Sequence, residues 1–231
     1  MVRCVLFDLE GTLVDFQWKL EEAEAELRRA AAGVLGCGPE RFAGLNYAGI
    51  WEAAMEAGSP ALRARMEQTL GPIYDRYDLD AATRWTLRPG AAPVLTRLRE
   101  LGVPTALVTN VGRRAATHIL SRLGIDRQFG VVVTRNDVAR MKPAPDGIRK
   151  ALDALGTTAT EALMVGDSLS DIGAARAAGC RVAIVLGGES TEAAIRAARP
   201  DLVLTDLREV VGSLCEPLEC RKAGRPKAQS Y

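Results

Sequence analysis

Residues 5–15 read VLFDLEGTLVD: an apolar run, Val5 to Phe7, that ends on two carboxylates, Asp8 and Glu10, two positions apart beside Gly11. Such a run reads as a buried strand. Two acids at its end need an explanation, because unit charges of like sign about 4 Å apart repel by roughly 4 kcal/mol at an effective dielectric near 20. Further out, similar runs occupy 105–109, 131–134, 162–165, 182–186 and 202–204, and the first extends over 2–7. Helical spacing fills 91–101, 113–123, 146–155, 171–178 and 191–198, with Gly102, Gly124, Gly156 and Gly179 placed where a left-handed C-terminal residue is wanted. Alternating strands and helices predict an α/β fold: a Rossmann-like parallel sheet with helices on both faces.

One stretch breaks the alternation. Residues 16–86 offer no strand, only Ala, Glu, Arg and Leu at helical spacing, as in KLEEAEAELRRAAAGVLG. They read as an inserted α-helical domain, leaving 1–15 and 87–214 as the α/β core. Because the insert begins directly after the acidic turn, it is expected above the carboxyl edge of the sheet, where ligands bind in open α/β folds. Residues 215–231 carry Pro, Gly and basic side chains with few apolar anchors and read as a basic tail. The chain has 231 residues, 48% hydrophobic and 26% charged, enough for a sizeable core. A formal net charge of +1 gives no global field toward nucleic acid or an acidic membrane, so neither is expected as a partner. Five cysteines without CxxC spacing, no leader-like N-terminus and no apolar stretch of membrane-spanning length point to the cytoplasm.

Other strand ends repeat the oddity of the first. TALVTN finishes on Thr109 and Asn110, ALMVGDSLSD on Asp167 and Asp171, and ARMKPAPDG supplies Lys142 before a proline-rich turn. In a parallel sheet all strand carboxyl ends lie on one side, so these residues are expected to surround one ligand. Crowded carboxylates call for compensating positive charge. Lys142 supplies part of it, and a hard divalent cation with oxygen ligands, Mg²⁺ first, answers the rest. A carboxylate so screened can attack phosphorus and give an acyl phosphate, the role expected of Asp8.

FDLEGTLVD, LVTN, MKPAPD and VGDSLSDIGAARAAG, in that order, resemble the four motifs of the haloacid dehalogenase superfamily, over nearly the whole chain apart from the tail. The insert after the first motif is similar to the cap of the phosphoglycolate phosphatase-like branch. The resemblance implies a Mg²⁺-dependent phosphatase acting on a small phosphorylated metabolite through an aspartyl phosphate. It makes Asp8 the nucleophile and a metal ligand, and Glu10 the acid/base that also offers its backbone carbonyl to the metal. Thr109 and Asn110 then hold phosphoryl oxygens, Lys142 neutralises charge in the transition state, and Asp167 and Asp171 complete the metal site. Gly11 and Thr12 shape the loop, and Gly166 lets it pass close to the metal. Two positions depart from the common pattern. Glu10 stands where most family phosphatases have Asp, although the superfamily's enolase-phosphatases share D-x-E-G-T, and Phe16 stands where a small polar residue often follows.

Other readings stay open at this point. A phosphomutase of the β-phosphoglucomutase type would share the acyl phosphate but return it to a sugar hydroxyl. A non-catalytic anion- and metal-binding protein would keep the site without the chemistry. Asp171 also suits the start of the helix through DIGAARAAG, a capping role compatible with metal binding. His118, the only histidine, lies on a helix among Ala115, Ile119 and Leu120 and reads as structural or surface.

Overall fold

Six strands, β1 (Cys4–Phe7), β2 (Thr105–Val108), β3 (Val131–Val133), β4 (Ala162–Gly166), β5 (Arg181–Val185) and β6 (Leu202–Leu204), form one sheet in the order β3-β2-β1-β4-β5-β6. Every pairing is parallel. These belong to a computed structural model that describes residues 2–56 and 58–214; the expected basic tail, with Cys215 and Cys220, lies outside the described residues. The chain leaves β1 for β2 and β3 on one side, then crosses to β4, β5 and β6 on the other. β1 therefore sits at the switch point, and the crevice outside its carboxyl end is the natural ligand site of such a sheet.

Side-chain alternation explains why both faces of the sheet are covered. Val5 and Phe7 of β1, with Leu163 and Val165 of β4, enter one core; Cys4 and Leu6, with Ala162 and Met164, enter the other. Successive residues of a strand point to opposite faces, so a strand apolar at every position must be buried twice. The helices α4 (Ala91–Glu100), α5 (Arg113–Arg122), α6 (Asp146–Leu155), α7 (Leu169–Ala178) and α8 (Glu192–Ala198) connect the strands, followed by a short α9 (Glu209–Gly212). Their boundaries agree with the sequence reading to within about two residues, as expected for helix ends. The largest shift has a cause: α7 starts at Leu169 because Ser168 accepts the Asp171 N–H while the Asp171 carboxylate accepts the Ser168 N–H, a reciprocal capping box. Asp171 is thus the third helical residue and not the cap itself.

Residues between β1 and α4 contribute α1 (Leu20–Leu35), α2 (Tyr47–Glu56) and α3 (Pro60–Ala82), which pack Leu27, Phe42, Ile50, Met66, Leu70 and Tyr74 into a core of their own. The two passages joining this helical insert to the sheet run side by side. Val14 bridges Leu87 in antiparallel sense, the Asp15 N–H bonds the Thr86 carbonyl at 3.0 Å, and the Asp15 carboxylate accepts the Thr86 N–H at 2.7 Å.

A second tie is fully enclosed. Asp78 of α3 accepts hydrogen bonds from the Arg135 guanidinium and the Gly112 N–H, both at 2.7 Å, and from the Tyr47 hydroxyl at 2.8 Å. The Arg135 and Asp78 side chains are 2% and 0% exposed. Burial pushes the Asp78 carboxyl up, and Arg135 draws it back toward the charged form. Removing one partner of such a pair strands the other in a place that water does not reach. Arg135→Met is expected to cost about 3 kcal/mol of unfolding free energy in urea titrations; a loss under about 1 kcal/mol would show that solvent screens the pair.

Candidate active site

The first acidic residue follows β1 directly. The Asp8 N–H still bonds the Val165 carbonyl of β4 at 2.9 Å, and the chain then turns so that the Leu13 and Val14 N–H groups return to the Leu9 carbonyl. Gly11 adopts φ +72°, and a Cβ there would run into the Asp167 carboxylate. Glycine is required on both counts, conformation and approach. Gly166 and Gly188 leave the same kind of room for the carboxylates of Asp171 and Asp167.

Four distant segments meet at this turn. Lys142 Nζ bonds Asp8 Oδ1 and, at 2.7 Å, Asp171 Oδ1. The Thr12 hydroxyl lies between Asp8 Oδ2 at 3.2 Å and Asp167 Oδ1 at 2.9 Å. Asp167 Oδ2 accepts the Glu189 N–H at 2.6 Å. Asp171 Oδ2 accepts the backbone N–H groups of Asp167 and Ser168 and the Ser168 hydroxyl. Asp8, Lys142, Asp167 and Asp171 are all buried.

Two residues expected at the phosphate also hold neighbouring protein groups. The Thr109 hydroxyl donates to Glu10 Oε2 at 2.8 Å and accepts the Val111 N–H at 3.0 Å, so it holds Glu10. The Asn110 side chain clamps the backbone of Lys142, accepting its N–H at 2.9 Å and donating to its carbonyl at 3.0 Å. Both residues are where the motif reading put them, and their hydrogen bonds orient catalytic candidates. In a sheet this tightly packed, a polar group at a strand end pairs with the nearest polar neighbour, because an unpaired one costs more than a pairing gains. His118 is exposed on α5, away from the site, as expected.

The acids perturb one another. Burial pushes Glu10 up to about 8, with the Asp8 charge adding to it. Burial raises Asp8 to about 6 against the pull of Lys142. Asp167 is raised well above the usual carboxylate range by burial, then by Asp8 and Asp171. Burial alone would lower the Lys142 ammonium, but Asp171, Asp8 and Glu10 reverse the sign and keep it charged. Negative charge therefore exceeds positive in this cluster.

That imbalance tests the site for a metal. Ligand oxygens of Asp8, Asp167 and Asp171 lie within 4.8 Å of one another. An all-oxygen donor set with surplus negative charge fits a hard divalent cation of the Mg²⁺ type. Every one of these carboxylates also has a protein partner on both oxygens, Asp8 with Lys142 and Thr12, Asp167 with Thr12 and the Glu189 N–H, Asp171 with Lys142 and the start of α7, so all three are the residues that could reach such an ion.

The pocket over these groups is lined by Phe16, the position that departs from the first motif, and by Ser170 within the last one, and also by residues that the motifs did not indicate: Trp18, Asn46 and Tyr47 from the insert, and Glu189 from the loop after β5. The glycine pair in LGGES, at the end of a strand neighbouring β4, was the available signal for the last of these. Nothing local in the sequence distinguishes Trp18 or Tyr47 from an ordinary apolar anchor.

Comparison with known proteins agrees with the fold and places the chain in a family. A family model described as haloacid dehalogenase-like hydrolase matches residues 2–179. Phosphoglycolate phosphatase from Photorhabdus laumondii is 31% identical over 220 residues, covering 94% of each chain. The protein of the same name from Pectobacterium atrosepticum is 32% identical over 214 residues, covering 91% of each. Among solved structures, a hydrolase from Pseudomonas syringae superposes with a TM-score of 0.65 at 23% identity, over 92% of this chain and 97% of that one. The last comparison speaks for the fold alone.

Proposed function

The chain belongs to the haloacid dehalogenase-like hydrolases, and from that premise we propose that it is a Mg²⁺-dependent phosphatase cleaving a small phosphorylated metabolite through a phosphorylated Asp8. The observation that carries this reading is a buried carboxylate at the sheet's switch point, held by Lys142 on one oxygen and facing Thr12 and Asp167 on the other. The relatives named phosphoglycolate phosphatase support the same reaction class.

Asp8 attacks the phosphoryl group in line, with the lysine ammonium opposing the charge that builds on the phosphoryl oxygens. Glu10, whose carboxyl is pushed up to about 8 by burial and by the Asp8 charge, gives its proton to the departing alkoxide. It then takes a proton from the water that hydrolyses the acyl phosphate, so one carboxyl serves both halves of the cycle. Asp8, Asp167 and Asp171 would hold the Mg²⁺, Asp171 also fixing Lys142 and the start of α7. The cation supplies positive charge that screens Asp8 from the anionic substrate. The helical insert acts as the cap that excludes water and selects the leaving group.

The test is a panel of phosphate monoesters with and without Mg²⁺. Hydrolysis is expected to fall to the blank after chelation and to return when Mg²⁺ is restored. Free orthophosphate as the product separates this reading from a phosphomutase, which passes the group to a sugar hydroxyl. A folded protein that releases no phosphate from any ester in Mg²⁺ overturns it.

A further inference from the structure

On the insert side the pocket is walled mainly by aromatic and aliphatic side chains, and the described lining residues offer no spare cation. Among the described residues lining it, Lys142 is the one cationic side chain, and both Asp8 and Asp171 already hold it. Arg88, beside the acidic turn, donates to the carbonyls of Gly11 and Leu186. The carboxyl groups of Asp8, Glu10, Asp167 and Glu189 also line it. On the insert side the lining is Phe16, Trp18, Leu20 and Tyr47, with the Asn46 amide between them. The Trp18 and Tyr47 rings meet edge to face, with centroids 5.0 Å apart. The Tyr47 hydroxyl is spent on Asp78 at 2.8 Å, so this ring presents carbon and not a donor to the pocket.

We propose that the substrate's leaving group is an uncharged alcohol with a flat or apolar face, and that the pocket disfavours a carboxylate-bearing leaving group such as glycolate. This rests on the phosphatase reading above. Phosphoglycolate would bring a second anion into a space whose described lining holds the Glu189 carboxyl and no side-chain cation beyond the already paired Lys142, and a charge left without a partner in a partly buried site is costly. A neutral ring or alkyl group loses little on entering the same space and gains contact with the aromatic wall. The chain would then differ in specificity from relatives whose name gives phosphoglycolate as substrate, while sharing their chemistry.

Three esters test it: phosphoglycolate, 2-hydroxyethyl phosphate, which replaces the carboxylate by a neutral CH₂OH, and benzyl phosphate. Values of kcat/KM with Mg²⁺ are expected to rise in that order, with benzyl phosphate at least about 10-fold above phosphoglycolate. Trp18→Leu should lower the ratio of kcat/KM for benzyl phosphate to that for 2-hydroxyethyl phosphate about 5-fold. Binding of the same esters to Asp8→Asn protein, followed by tryptophan fluorescence, separates the two claims. If no ester is hydrolysed but binding keeps this order, the phosphatase reading falls and the pocket assignment stands. Phosphoglycolate as the best substrate or tightest ligand, or no binding by any of the three, overturns the pocket assignment.

Discussion

Asp8→Asn should lower turnover by more than about 10⁴-fold and leave the protein folded. The loss follows from chemistry: an amide is not a nucleophile toward phosphorus at neutral pH, and no second carboxylate in the site has the same approach. Asp167 is turned toward Thr12 and the Glu189 N–H, and Asp171 is committed to Lys142 and the start of α7. Retention of the fold follows from the hydrogen bonds. Asparagine has nearly the same shape, the backbone bond to Val165 does not involve the side chain, and Lys142 keeps Asp171 at 2.7 Å as its counter-charge. The substitution also removes one negative charge from a cluster that has too many, so a chelated sample should be no less stable to heat than the wild type. Residual activity above about 1% of wild type in Asp8→Asn, measured on protein freed of wild-type contamination, would remove Asp8 from the nucleophile's place.

How far the sequence reached depended on what kind of regularity each feature has. The six strands and the convergence of Asp8, Lys142 and Asp167 were legible because strand runs are local and parallel strands put their ends on one edge. The helical insert was legible as a break in that alternation. Hydrogen-bond partners were not. That Thr109 holds Glu10, and Asn110 holds the Lys142 backbone, depends on which polar atoms come closest when β1, β2 and the loop before α6 pack together. The Asp78 and Arg135 pair lies 57 positions apart. On its own each looks like one more charge on a charged helix or loop, and only burial reveals that they depend on each other. The aromatic wall was hidden for a related reason. Trp18 and Tyr47 sit at an irregular passage and a helix start, and periodicity describes the middle of an element better than its ends.

Glu10→Gln is expected to lower kcat for alkyl phosphate esters by about 10³-fold, within the range that acid/base help supplies. Glutamine keeps the length that Glu10 has over the more usual aspartate and can still accept the Thr109 hydroxyl, which now bonds Oε2 at 2.8 Å. The substitution therefore removes the proton and little else. Two steps should respond differently. With p-nitrophenyl phosphate the leaving group departs without a proton, so phosphorylation of Asp8 should proceed at close to the wild-type rate. Hydrolysis of the acyl phosphate still lacks its base. The variant should then release one equivalent of nitrophenolate per site in a burst, followed by a slow phase, the kinetic mark of a covalent intermediate that has lost its second step. An alkyl ester needs the acid to leave, so it should show no burst and a uniformly slow reaction. If Glu10→Gln instead slows both esters equally and shows no burst with either, Glu10 serves only to position its neighbours, and the acid/base assignment passes to another group.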